Sequence, residues 1–129
     1  VSYLRPTTYD LRPMTSHDSG LTAQDFDRVD IRVGRILTAE PNPKAHKPAY
    51  VLTVDFGTEL GVKTSSAQLT VHYTPDQLVG RLVIAVVNFP PKRVAGVKSE
   101  VLVLGVPDAE GAVVLLEPTQ DVPLGGRLF

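Results

Sequence analysis

The chain has 129 residues, 43% of them hydrophobic, with no cysteine and a formal charge of −1 from 13 basic and 14 acidic residues. That length suits one domain with one core, and the missing cysteine excludes disulfides, thiolate metal sites and cysteine catalysis while fitting a reducing cytoplasm. A near-neutral charge argues against a protein that coats DNA, and no apolar run reaches the roughly 18 residues of a membrane span.

Residues 1–21 contain Pro6 and Pro13 among Ser and Thr with little periodicity, so an extension without regular structure is expected there. It has neither the basic nor the apolar region of a secretory signal. We expect this extension to strap across a partner subunit. A helix is predicted from Ala23 to Arg28, with Thr22 as its cap, Asp25 as the capping-box partner, and Phe26 and Val29 on its apolar face. So short a helix must pack on something to persist.

Strands follow. Ile31 to Leu37 mixes β-branched and polar residues, with Gly34 marking a bend or a close approach. Pro41-Asn42-Pro43 breaks it. From Tyr50 to Phe56 the pattern alternates, putting Leu52, Val54 and Phe56 on one face. Val62 to Leu69 is a third strand, with Ser65 and Ser66 expected on a polar face. Thr74-Pro75-Asp76-Gln77 starts a second helix, which Gly80 closes. Leu82 to Val87 is a buried strand, and Val101 to Gly105 and Ala112 to Leu116 complete the set around a polar turn at 107–111. A sandwich would share this strand content. The single helix between the third and fourth strands instead favours a mainly β, five-stranded OB-fold barrel with two short helices and a C-terminal extension of β segments.

Catalytic chemistry is hard to find. His17, His46 and His72 share no metal-ligand spacing, and neither a nucleophile motif nor a phosphate-cradling glycine loop is present. No enzyme activity, cofactor or metal is expected. The charges are unevenly placed, however: the window 44–54 holds Lys44, His46 and Lys47 without an acid, and the window 88–99 holds Lys92, Arg93 and Lys98 without one. In the second window Pro90 and Pro91 fix an extended path, Lys92 and Arg93 can meet phosphates or carboxylates, and Asn88 can either read a ligand edge or cap a turn.

Asp27 to Ile36, Lys47 to Gly57, Ser65 to Leu69, Val86 to Arg93, Ser99 to Gly105 and Val122 to Arg127 together resemble the CsaA family of export-related chaperones. That family belongs to the wider class of tRNA-binding OB domains. The likeness covers residues 22–129. It implies a homodimeric, cytoplasmic OB protein that binds unfolded or precursor polypeptides, with tRNA binding as the alternative. The expected ligand-binding residues are Asn88, Phe89, Lys92, Arg93, Lys98, Ser99, Lys47 and Lys63, of which Asn88, Lys92, Arg93 and Ser99 match the tRNA-binding pattern. The resemblance implies a dimer interface through the first helix and the segments after the barrel, expected at Phe26, Val29, Leu116 and Pro118. The general tRNA-binding pattern has Asp-Lys-Leu where this chain has His46-Lys47-Pro48, and the surroundings of the basic loop follow the CsaA variant.

Overall fold

The structure is a computed structural model, and it describes residues 20–129. The expected strap at 1–21 therefore lies, but for Gly20 and Leu21, outside the described residues. The elements are α1 (Ala23–Asp27), β1 (Ile31–Pro41), β2 (Tyr50–Asp55), β3 (Val62–Ala67), α2 (Pro75–Leu78), β4 (Leu82–Val86), β5 (Lys92–Val94), β6 (Val97–Ser99), β7 (Leu102–Val103), β8 (Gly105–Pro107) and β9 (Val113–Leu115).

Both predicted caps form. The Thr22 hydroxyl accepts from Asp25 N at 3.3 Å while the Asp25 carboxylate accepts from Thr22 N at 2.8 Å. At α2 the Gln77 side chain accepts from Thr74 N at 2.9 Å. The first helix stops at Asp27, with Arg28 as its C-cap, and buries none of its residues.

The main sheet has the order β3-β2-β1-β4-β7, antiparallel throughout. β1 serves two partners: Ile31 to Arg35 pair with β4, and Arg35 to Pro41 pair with β2. A register shift between Ile36 and Thr38 lets the strand bend from one partner to the other. Gly34 permits that bend, because a Cβ there would lie 2.5 Å from Val54 Cγ1 and 2.7 Å from Phe56 Cε1. Leu52, Val54 and Phe56 do point inward and are fully buried, joined by Ile36, Leu69, Leu78 and Val83.

The sheet curls until β3 meets the chain after β6. Glu100 N donates to Thr64 O at 2.8 Å, and the Ser65 hydroxyl donates to Val101 O at 3.1 Å. The result is the nearly closed OB barrel that the strand order predicted. Ser65 and Ser66 are a correction: instead of an exposed polar face they are buried at this seam, where the Ser65 and Ser99 hydroxyls and Ser66 N are hydrogen-bonded. The predicted strand from Val101 to Gly105 is likewise broken at Leu104. Beyond it β8 leaves the barrel to pair with β9, and Gly105 passes so close to that strand that a Cβ would stand 2.7 Å from Val114 O. The closing segment then returns to the free edge of β1, with Gly125 N bonding Val33 O at 2.8 Å and Leu128 N bonding Ile31 O at 2.9 Å. Among the described residues no helix is long and apolar enough to cross a membrane.

Candidate nucleic-acid interface

OB barrels take ligands on the face flanked by the loop between the first two strands and the loop before the last. Here these are residues 42–49 and the stretch 88–99. The second, expected as an extended loop, folds into the hairpin β5–β6 around Ala95 and Gly96, whose φ angles of 46° and 82° are both positive. That is the backbone of a primed two-residue turn, which matches the twist of the flanking strands.

The two loops touch. Asn42 Nδ2 donates to Ala95 O at 3.3 Å, and the Lys44 stem lies over Gly96, its Cδ 3.5 Å from where a Cβ would be. Arg93 Nη1 donates to Gly96 O at 3.4 Å. Arg93 and Lys98 are directly opposite each other in the hairpin register and both are exposed. Among the described residues no carboxylate forms an ion pair with Arg93, Lys98 or Lys44. Arg93 and Lys44 thus meet at the turn at Gly96, with Lys98 across the hairpin from Arg93.

The other expected ligand residues are placed differently. Lys92 is exposed on β5 opposite Ser99, and Lys47 is exposed in the first loop. Phe89 is half-buried. Lys63 stands at the start of β3, opposite Val54 and away from the hairpin turn. Asn88 spends its side chain on the protein: its carbonyl accepts from Asp30 N at 2.9 Å and its amide donates to Arg28 O at 2.8 Å, tying α1 to the end of β4. Ser99 is buried, accepting from Ser66 N at 3.0 Å and so fastening the hairpin to β3. Lys44 and Asn42 were missing from the expected ligand set. The acid-free window beginning at Lys44 was the available signal.

Two barrel aromatics that could have stacked on bases face inward. Phe56 is fully buried, and Tyr50 is buried with its hydroxyl donating to Tyr73 O at 2.7 Å. The outward residues of β1 and β2 are mixed, with Leu37 and Glu40 exposed beside the Thr38–Thr53 hydroxyl pair at 2.6 Å. His46 is exposed, His72 is bonded to Asp108 at 2.7 Å, and His17 lies outside the described residues. Among the described residues no group of three His, Asp or Glu can hold a metal.

On another side of the molecule an apolar groove of about 470 Å³ is lined by Val33, Ile84, Pro118, Val122, Leu128 and Phe129. Of the expected dimer residues, Pro118 lines this groove, Phe26 and Leu116 are 44% and 38% exposed, and Val29 is half-buried.

An OB barrel with basic residues in the loops 42–49 and 88–99 has the architecture of a nucleic-acid-binding domain. The chain belongs to the tRNA binding domain family, whose model matches residues 31–127. It is 39% identical over 105 residues to the methionine–tRNA ligase of Pyrococcus horikoshii and 35% identical to that of Porphyromonas gingivalis, each time over 81% of this chain. It spans only 14% and 15% of those ligases. Among solved structures it is similar to the chaperone CsaA of Bacillus anthracis (53% identity, TM-score 0.78, covering 84% of this chain and 98% of that one). The CsaA chaperone protein of Picrophilus torridus is also similar (47% identity, TM-score 0.78, covering 84% and 99%).

Proposed function

We propose that the chain is a non-catalytic binding protein of CsaA type, a cytoplasmic homodimer that holds tRNA through its two basic loops. The observation that carries this reading is the opposition of Arg93 and Lys98 on an exposed hairpin, with Lys44 brought against its turn. Like charges directly opposite on a sheet repel, and an anion lying over them removes the repulsion. Phosphate oxygens supply that charge, and Arg donates to them in a two-pronged bond. Lys92 and Lys47 widen the track, Lys63 lies at its margin, and Asn88 and Ser99 hold its frame. With Tyr50 and Phe56 inside the barrel, a single strand of stacked bases is poorly served. A folded RNA read by shape and phosphates fits better. The tRNA alternative thereby moves ahead of the polypeptide client that the sequence put first.

The second reading is a chaperone for unfolded or precursor polypeptides, and the high identity to two proteins described as CsaA chaperones favours it. A client would lie along Phe89, Pro90 and Pro91 beside the cations, and two copies of the site in a dimer would add avidity. In both readings the dimer seam runs through Phe26, Val29, Leu116 and Pro118, where exposed apolar side chains and the groove lie close to α1 and the closing segment.

The test is fluorescence anisotropy with labelled tRNA and a labelled precursor peptide across a range of salt, with Arg93→Ala as control. We expect tRNA binding that falls steeply with salt and is lost in the variant. Binding of peptide alone, with little dependence on salt, would replace the RNA reading by the chaperone one.

A further inference from the structure

We infer that Asn42 is a positioning residue that locks the two basic loops into one rigid phosphate-binding surface; this rests on the RNA reading above. Asn42 sits between Pro41 and Pro43. The ring of Pro43 keeps the preceding residue out of helical geometry and so limits how Asn42 can be presented. All four of its polar groups are engaged. Its backbone N donates to Ala49 O at 3.0 Å, its backbone O accepts from Ala45 N at 3.2 Å, and its Oδ1 accepts from Lys44 N at 3.1 Å. These three bonds fold the loop 42–49 on itself and aim Lys44.

The fourth bond does something else. Asn42 Nδ2 reaches across 53 residues of sequence to Ala95 O, at the turn of the hairpin that carries Arg93 and Lys98. Ala95 holds a positive φ, uncommon for a residue with a Cβ, and its carbonyl is the acceptor that this turn presents to Asn42. One side chain must therefore accept on its own loop and donate to the other. Asn does both. Asp lacks the donor, and Ser is an atom shorter.

Cations at fixed mutual spacing bind a rigid polyanion without first having to be ordered by it, and that saving appears as affinity. Removing the pin leaves every charge in place but returns the ordering cost to the binding step. The expected signature separates Asn42 from a residue that touches phosphate. A phosphate contact, when lost, lowers the slope of log Kd against log salt by about one unit. A lost positioning residue weakens binding at unchanged slope.

The experiment measures tRNA binding by anisotropy across salt for the full chain, for Asn42→Ala, for Asn42→Ser and for Lys44→Ala, with thermal melts of each. The Asn42→Ser variant retains an acceptor for Lys44 N, so it carries the test if Asn42→Ala disturbs folding. Expected for Asn42→Ser are melting lowered by no more than one lost hydrogen bond explains, a Kd raised about 5-fold, and the wild-type salt slope, against a reduced slope for Lys44→Ala. Wild-type affinity in both Asn42 variants, or a slope lowered as in Lys44→Ala, overturns the inference alone. Failure of the unmodified chain to bind tRNA overturns the RNA reading and this inference with it.

Discussion

Arg93 and Lys98 face each other directly across an exposed two-stranded hairpin, a pairing of like charges that disfavours the folded hairpin. If the pair serves an anionic ligand, stability and binding must move in opposite directions when it is broken. We expect Lys98→Glu to raise stability by about 0.5 kcal/mol, as an attractive cross-strand pair replaces a repulsive one, and to weaken tRNA binding at least tenfold. Thermal melts and anisotropy on the same samples check both halves. A variant that binds tRNA normally would remove the hairpin from the site.

Gly34 tests the account of the barrel's bend. A methyl group there runs into Val54 and Phe56, two side chains with no room to retreat. Overpacking of this kind costs about 1–3 kcal/mol. Denaturant unfolding of Gly34→Ala should show a loss in that range with the m-value unchanged. A neutral substitution would mean that the strand relaxes there freely.

Asn88 separates holding the frame from touching the ligand. Its side chain makes two bonds to backbone groups, at Asp30 and Arg28. Asn88→Ala should cost about 2 kcal/mol, the net worth of two hydrogen bonds, and should speed amide exchange through α1. The salt slope for tRNA should stay at its wild-type value. A lowered slope with undisturbed exchange would make Asn88 a direct contact.

Acid should act through Asp108. Its carboxyl is held below the ordinary carboxylate value, first by the hydrogen bond with His72 and then by the backbone N–H groups of Ala112 and Glu110. A carboxyl depressed in the folded state contributes stability that is fully present above its unfolded value and lost as pH falls through its folded one. Asp108→Asn should therefore melt below the wild type at neutral pH, and the gap should close as pH drops below the ordinary carboxylate range. A gap that persists unchanged in acid would assign the effect to packing rather than charge.

Local features were legible in the sequence. The inward run Leu52, Val54, Phe56 follows from a period of two, and the caps at Thr22 and Thr74 act over three residues, so each could be read where it stands. The order of strands around a single helix then sufficed for the barrel. The acid-free windows around Lys44 and Arg93 marked where positive charge gathers.

What the tertiary structure alone decided depends on segments far apart in the chain. Ser65 and Ser99 look like surface residues until the barrel closes and buries both at one seam. Asn88 carries the groups of a ligand reader, but the approach of Arg28 and Asp30, about sixty positions upstream, commits it to the backbone. Nothing local predicts a primed turn at Ala95-Gly96, because Ala disfavours positive φ. A sequence states which groups a residue can offer. Which partners are near enough to take them is set by chain closure, and at this site closure brings Asn42 to Ala95 and Lys44 to Gly96.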